Sequence, residues 1–90
     1  MKIIDVYGNW CGPCKVYAPI FEKVSKDEKY KDIEFKKIDV DENEELASKY
    51  NVRNIPTTLF ISDDEELVAK LPGMQTEQNL RSKIEETFNI

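Results

Sequence analysis

The chain has 90 residues, which is enough for one hydrophobic core but not for two, so we expect a single domain spanning residues 1–90. Hydrophobic residues make up 40% of the sequence and charged residues 34%, a balance typical of a globular chain with a thin core. The formal net charge of −5 argues against nucleic acid as a partner, because binding to phosphates needs a basic surface.

The first half of the chain predicts a strand, a helix and a second strand. The segment KIIDVYG (Lys2 to Gly8) reads as a short buried strand, and IEFKKIDV (Ile33 to Val40) as another. Between them a helix is expected from about Pro13 to Lys29, with Pro13 in its first turn. Its inner stripe is predicted from a spacing of three to four residues: Val16, Tyr17, Ile20, Phe21 and Val24. Two strands joined in this way indicate a right-handed parallel crossover.

The second half predicts a short helix, a hairpin and a final helix. Asp41 is expected to cap the short helix, with Glu44 at the capping-box position, and Leu46, Ala47 and Tyr50 on its inner face. TTLFI (Thr57 to Ile61) and ELVAK (Glu66 to Lys70) should form an antiparallel hairpin. Thr76 should cap the last helix, whose predicted buried positions are Leu80, Ile84 and Phe88. The expected fold is therefore α/β, in the order β-α-β-α-β-β-α, with a four-stranded mixed sheet and helices on both faces.

Acidic residues cluster in DVDENEE (Asp39 to Glu45) and DDEE (Asp63 to Glu66). We favour solvated surface for both runs over an acidic docking segment, because runs of this kind usually face solvent. The apolar start, Ile3 to Tyr7, is interrupted by Asp5 and is too short for a signal peptide or a membrane span. We therefore expect a cytoplasmic protein with no membrane partner.

The two cysteines, Cys11 and Cys14, allow three interpretations. As a purely structural disulfide they would close a very short loop and stabilise the fold by only about 2 kcal/mol, which is near the low end for disulfides. As a metal site they lack ligands, because zinc needs four cysteines or histidines and the chain has two cysteines and no histidine. A metal shared between two chains stays open but is disfavoured. In a reducing compartment a reactive dithiol is the favoured interpretation.

The predicted local structure supports a reactive dithiol. Cys11 should lie just before the helix, where unpaired N–H groups and the helix dipole favour a negatively charged sulfur. Cys14 follows one turn inside, within reach of Cys11. Pro13 would stiffen the ring, and Gly12 would let another polypeptide approach the sulfurs.

Asp5 and Pro56 are unusual at their positions, and each has two interpretations. Asp5 interrupts a buried strand, so it is either a strand-end acid that reaches solvent or a desolvated carboxylate with a raised pKa, placed to take a proton from Cys14. Pro56 begins a strand, so it is either an ordinary edge-strand proline or a cis proline.

These segments together resemble one family. WCGPCK (Trp10 to Lys15) after a strand, with Asp5 upstream and IPT (Ile55 to Thr57) downstream, resembles the thioredoxin family, and the similarity runs along the whole chain. The resemblance implies a thioredoxin-like fold and a disulfide reductase without a bound cofactor. A thiol of pKa about 8.5 is only ~3% thiolate at pH 7, whereas the value of about 7 typical of thioredoxins gives roughly half.

The resemblance also implies a role for each candidate residue. Cys11 would attack a substrate disulfide, and Cys14 would resolve the mixed disulfide after deprotonation helped by Asp5. Lys37 matches the lysine that tunes this aspartate. The substrate would bind with its backbone paired to Ile55, in an apolar groove formed by Trp10, Ile55, Pro56 and Gly73 beside Gly12 and Pro13.

The implied partners are disulfide-containing proteins and an electron donor, either a thioredoxin reductase or glutathione, acting on a monomer. The chain departs from the family pattern because it starts at the strand that holds the aspartate, without the usual preceding strand and helix. Ile33 to Asp39 should then lie at a sheet edge, guarded by Lys36 and Lys37. The alternatives are a glutaredoxin-like redoxin coupled to glutathione or a dedicated reductase, and a redox-inert adaptor subunit.

Overall fold

A computed structural model of the chain describes residues 1–90 and contains one sheet with three α-helices. The elements in chain order are β1 (Lys2–Tyr7), α1 (Gly12–Ser25), a 3-10 turn (Glu28–Tyr30), β2 (Glu34–Asp39), α2 (Glu44–Lys49), β3 (Thr57–Ile61), β4 (Leu67–Pro72) and α3 (Glu77–Phe88). The sheet order is β2-β1-β3-β4, with β1 parallel to β2 and antiparallel to β3. The predicted α/β class and element order are confirmed. None of the helices is both long and apolar enough to cross a bilayer.

The sheet separates two apolar clusters because successive side chains of a strand point to opposite faces. On one face Ile3 and Phe60 pack against α1 and α3, together with Tyr17, Phe21, Val24, Tyr30, Ile33, Leu80 and Ile84. On the other face Ile4, Val6, Leu59 and Ile61 pack against the region of α2, including Leu46 and Tyr50. Helices therefore cover both faces, as expected from the sequence. Asp5 lies between Ile4 and Val6 along the strand and so faces the α1 side.

β2 lies at the sheet edge, as the sequence predicts. Only Asp39 at its end is buried, and both Lys36 and Lys37 are exposed. Lys37 is opposite Asp5 in the parallel register, whereas Lys36 is opposite Ile4 and belongs to the other face. Lys37 therefore lies on the same face of the sheet as Asp5, and Lys36 lies on the opposite face.

Helix α1 ends at Ser25, so the prediction that it extends to about Lys29 is wrong. Asp27 adopts an extended conformation, and its carboxylate accepts a hydrogen bond from the backbone N–H of Lys29, which begins the 3-10 turn. A side chain that binds the backbone in this way competes with helix continuation. Val16, predicted on the inner stripe, is also misplaced: it is 55% exposed, and the buried face of α1 consists of Cys14, Tyr17, Phe21 and Val24.

The predicted cap of α2 is wrong as well. The helix begins at Glu44 after Asn43, and the side chain of Asn43 makes no capping hydrogen bond. Asp41 lies outside the helix, where its carboxylate binds another partner. Ala47 is buried, and Leu46 and Tyr50 are half-buried as expected. β4 runs two residues further than predicted, to Pro72, and Thr76 caps α3 by accepting a hydrogen bond from Asn79 N–H.

Candidate active site

The two cysteines lie at the N-terminus of α1, where they form a disulfide bond. Cys11 is the N-cap residue, and its Sγ accepts a hydrogen bond from the backbone N–H of Cys14 at 3.2 Å. Pro13 lies in the first turn, where its missing N–H removes no helical hydrogen bond. Both sulfur-bearing residues are buried, whereas Gly12 and Pro13 between them are exposed. The first sulfur therefore lies at a helix N-terminus, where backbone N–H groups have no partner within the helix.

The Ile55–Pro56 segment lies against the first sulfur. The Ile55–Pro56 peptide bond is cis, and the carbonyl oxygen of Ile55 is 3.8 Å from Cys11 Sγ. Gly73 N–H donates a hydrogen bond to the Pro56 carbonyl at 2.8 Å, and Gly73 has a φ of 85°, a conformation that favours glycine. The chain thus brings three predicted substrate-binding residues together beside Cys11.

Trp10 precedes the disulfide and is 68% exposed. Its indole Nε1 donates a hydrogen bond to the carboxylate of Asp41 at 2.8 Å. Asp39 is buried, although the sequence predicts a solvated acidic run there, and its carboxylate accepts hydrogen bonds from Asn9 Nδ2 and Asp41 N–H. Part of this acidic run therefore holds the turn that carries Trp10, which accounts for the absence of Asp41 from the cap of α2.

Gly8, which was not predicted as part of the site, lies against two of its residues. A Cβ atom at Gly8 would lie 2.8 Å from Ile55 Cδ1 and 3.1 Å from Cε2 of the Trp10 ring. Only a residue without a side chain allows Ile55 and Trp10 to pack this closely over the end of β1. A glycine directly after a strand and before a reactive pair is the sequence signal for such a close approach.

Asp5 is completely buried, and neither of its carboxylate oxygens has a hydrogen-bond partner. Burial disfavours the ionised form and raises the pKa of Asp5 to about 6, while the charge of Lys37 acts in the opposite direction. The interpretation as a strand-end acid in solvent is therefore wrong. A buried carboxyl group with a pKa near neutrality can exchange protons at physiological pH.

Lys37 lies beside Asp5 without forming an ion pair with it. Its Nζ is instead 5.1 Å from the centroid of the Tyr7 ring. A cavity of about 180 Å³ next to Cys14 is lined by Tyr7, Gly8, Asn9, Cys14, Lys15, Ala18 and Lys37. This volume is large enough for water molecules, each of which occupies ~30 Å³ in the liquid. The cavity provides room for water on the Cys14 side of the disulfide.

Tyr17 and Thr58 flank Asp5 and were not predicted as part of the site. Thr58 is the register partner of Asp5 on β3, and the Tyr17 hydroxyl and Thr58 Oγ1 share a hydrogen bond of 2.8 Å. Burial raises the pKa of Tyr17 to about 12, with a smaller contribution from the Asp5 charge. One hydroxyl donates to the other, and neither forms a hydrogen bond with Asp5. The only feature of the sequence that pointed to this pair was the position of Tyr17 on the apolar stripe of α1.

Comparison with known proteins gives a consistent family. The family model described as Thioredoxin matches residues 1–86. A thioredoxin of Mycoplasmoides gallisepticum is 51% identical over 61 residues, which is 68% of this chain and 59% of that protein. A thioredoxin of Borreliella burgdorferi is 52% identical over 63 residues, covering 69% of this chain and 52% of that protein. The chain therefore spans only between half and two thirds of the length of these two relatives.

Other relatives match over a longer range. A thioredoxin of Staphylococcus epidermidis is 44% identical over 80 residues, covering 89% of this chain and 75% of that protein. Among solved structures, a thioredoxin of Fasciola hepatica superimposes with a TM-score of 0.85 at 40% sequence identity. That superposition covers 96% of this chain and 79% of the other chain.

Proposed function

The chain belongs to the thioredoxin family, and from this premise we propose that it is a thiol–disulfide oxidoreductase that reduces protein disulfides through Cys11 and Cys14. The observation that carries the proposal is the position of Cys11 as N-cap of α1, with its sulfur accepting the backbone N–H of Cys14. In the dithiol form this environment stabilises a thiolate at Cys11 and lowers the pKa of that thiol.

The first step is attack by the Cys11 thiolate on one sulfur of a substrate disulfide. The substrate S–S bond breaks, a mixed disulfide with Cys11 forms, and the second substrate sulfur leaves as a thiolate. The exposed Gly12 and Pro13 leave the approach to Cys11 open, since no atom lies within 4 Å of the position that a Cβ of Gly12 would occupy.

The second step is resolution by Cys14. The Cys14 thiol, which lines the water-sized cavity, gives its proton to the Asp5 carboxylate, and the resulting thiolate attacks Cys11 Sγ. The Cys11–Cys14 disulfide forms as the bond between Cys11 and the substrate breaks, and the substrate sulfur that was bonded to Cys11 leaves as a thiolate. A pKa of about 6 leaves Asp5 mostly ionised at pH 7, yet basic enough to accept this proton. Lys37 acts as a positioning residue that limits the rise in the pKa of Asp5.

The substrate segment binds across the Ile55–Pro56 segment as an added strand, with its backbone paired to Ile55. Trp10 and Gly73 form the sides of this groove. The proximity of the Ile55 carbonyl to Cys11 Sγ supports the proposal, because a segment paired there presents its cysteine to the attacking sulfur.

The cycle removes two electrons from the dithiol, so an external donor must restore it. We propose a thioredoxin reductase or glutathione as donor, no bound cofactor, and a monomer acting in the cytoplasm, where the compartment is reducing. The two donors are distinguished by insulin reduction driven by thioredoxin reductase and NADPH, compared with glutathione, glutathione reductase and NADPH. A redox titration of the cysteine pair against glutathione measures its potential.

The decisive experiment is the double substitution Cys11→Ser with Cys14→Ser. We expect complete loss of insulin reduction, and we expect Cys14→Ser alone to accumulate a mixed disulfide with the substrate. Normal cellular function of the double variant would instead identify a redox-inert adaptor whose groove binds partners regardless of the sulfur state, and it would overturn the proposal.

A further inference from the structure

A second cavity adjoins the Ile55–Pro56 segment, because the residues on either side of that segment, Asn54 and Thr57, both line it. Its volume is about 170 Å³, and its walls come from the loop between α2 and β3 and from the edge strand β4. Asn54 in one wall directly precedes Ile55, and Pro72 in the other wall directly precedes Gly73. The remaining lining residues are Asn51, Val52, Arg53 and Lys70. The cavity is therefore a lateral extension of the proposed substrate groove.

Two cations line this cavity, and neither forms an ion pair with a carboxylate of the chain. Lys70 Nζ donates hydrogen bonds to the backbone carbonyls of Tyr50 at 3.3 Å and Asn51 at 3.1 Å. These bonds hold the ammonium in the cavity wall at the C-terminal end of α2, and no carboxylate of the chain neutralises its charge.

Arg53 is held in a similar way. Its Nε donates a hydrogen bond to the side-chain oxygen of Asn51 at 3.1 Å, while its two terminal guanidinium nitrogens have no partner in the chain. A guanidinium presents paired N–H donors with the spacing of a carboxylate. The side-chain amide of Asn54 adds a polar group to the same lining, whereas the hydroxyl of Thr57 already donates to the Asn54 carbonyl. The cavity thus combines two cations that no carboxylate of the chain neutralises with guanidinium N–H groups suited to a carboxylate.

We propose that this cavity is a subsite for an aspartate or glutamate side chain of the protein substrate, near the cysteine that Cys11 attacks. The inference rests on the proposed function, because it requires a substrate segment paired with Ile55. Such a segment runs past Asn54, so one of its side chains points toward the cavity. The net charge of −5 repels acidic proteins at long range, and two cations in the cavity next to Ile55 offset that repulsion for a substrate in the correct register.

The test uses the reduced protein in single-turnover reactions with disulfide peptides, so that no other reductant takes part. Peptides carry one glutamate at each position within three residues of the attacked cysteine, and each has a matched glutamine peptide. For the best position we expect the glutamate peptide to react roughly fivefold faster than its glutamine match at low salt, as for a partly exposed charge pair. The ratio should approach one in 0.5 M salt, because the Debye length becomes short.

Arg53→Gln should bring the ratio close to one, and Arg53→Lys should keep part of it. Lys31→Gln is the matched control, because Lys31 is also exposed and without an ion pair but precedes β2 at the opposite end of the sheet from Cys11. It should keep the full ratio. Melting temperatures of all three variants test whether they are folded, and Lys70→Gln provides a second route to the same charge loss.

The outcomes separate the two proposals. A wild-type protein that reduces both peptides of every pair equally, or an Arg53→Gln variant with an unchanged ratio, overturns the carboxylate subsite and leaves the reductase proposal intact. A wild-type protein that reduces no peptide overturns both. An Arg53 effect seen only with glutathione disulfide assigns the cavity to a glutathione carboxylate and overturns the assignment to protein side chains.

Discussion

Asp5 on β1 lies directly opposite Lys37 on β2, yet their side chains form neither a hydrogen bond nor an ion pair. The carboxylate is buried without any partner, while the ammonium lies over the ring of Tyr7. An unpartnered buried acid is costly for the fold, and its persistence at the side of a reactive disulfide is what links the stability of this protein to its chemistry.

Replacing Asp5 by alanine should stabilise the oxidised protein at pH 7. The folded-state pKa of Asp5 is raised from 3.8 to about 6, so the folded chain holds this proton more tightly than the unfolded chain does. The free energy of unfolding therefore falls as the pH rises from about 4 to about 6, and the full cost, about 3 kcal/mol, is present above that window. Because the alanine also loses some packing contacts, we expect the free energy of unfolding to rise by about 2 kcal/mol at pH 7 and not at all at pH 4.

Urea denaturation at the two pH values measures this difference, and Asp39→Ala is the control. Asp39 is also buried, but its carboxylate accepts hydrogen bonds from Asn9 and from the backbone of Asp41. Its removal should cost about 1 to 3 kcal/mol, because the donors lose their partner. A gain from Asp5→Ala that is equal at both pH values would contradict ionisation as its cause. The same variant should resolve the mixed disulfide more slowly.

Replacing Lys37 by glutamine should raise the pKa of Asp5 above about 6, because the lysine charge lowers that pKa. The carboxyl ¹³C signal of Asp5 in the oxidised protein reports the titration directly, and the pH profile of the resolving step should move to higher pH with it. Lys36→Gln removes the same charge from the opposite face of β2. Equal pKa values in the two variants would show that the effect is a general loss of charge rather than a contact with Lys37.

Cys11 should be the first thiol to be alkylated in the reduced protein near neutral pH. Its place before α1 gives it the N–H groups and the helix dipole that lower a thiol pKa, whereas Cys14 lies inside the helix on the buried face. Brief treatment with iodoacetamide followed by peptide mass spectrometry identifies the modified residue, with each single serine variant as a reference. Preferential labelling of Cys14 would reverse the proposed roles of the two sulfurs.

The strands and the reactive pair could be predicted from the sequence because their signals are local. The hydrophobic run of β1 and the position of Cys11 before a helix need no knowledge of the rest of the chain. The helix end and the helix cap were predicted wrongly because in each case a side chain binds a residue that is distant in the sequence. Asp27 ends α1 while its carboxylate also binds Arg81 of α3, and Asp41 leaves the cap of α2 to bind Trp10.

The same reasoning explains which parts of the site escaped prediction. The close contact between Gly8 and Ile55 joins segments that are far apart in the sequence, and so does the cavity shared by Arg53 and Lys70. Each of these residues taken alone resembles an ordinary turn or surface residue. Only the pairing of β3 with β1 and β4 brings them together beside Cys11.

The two glycines around the reactive pair should respond oppositely to alanine substitution. At Gly8 the new Cβ would lie 2.8 Å from Ile55 Cδ1, so Ile55 must move and the groove must change shape. We expect Gly8→Ala to lower the free energy of unfolding by about 1 kcal/mol and to slow the reduction of both protein and small disulfides. At Gly12 nothing lies within 4 Å of the Cβ position, so Gly12→Ala should fold normally and gain up to about 1 kcal/mol from helix propensity.

The added methyl group at Gly12 nevertheless points into the space that a substrate backbone must enter. The ratio of kcat/KM for insulin to that for a small disulfide such as hydroxyethyl disulfide should therefore fall severalfold in Gly12→Ala, because only the larger substrate approaches through that space. In Gly8→Ala the ratio should change less, since the displaced Ile55 affects the surroundings of Cys11 for every substrate. Thermal denaturation measures the stability of the two variants, and the insulin and small-disulfide assays give the kcat/KM ratio of each. A Gly12→Ala protein that reduces insulin as efficiently as the wild type would mean that substrates reach Cys11 from another direction, and the groove along Ile55 would have to be abandoned.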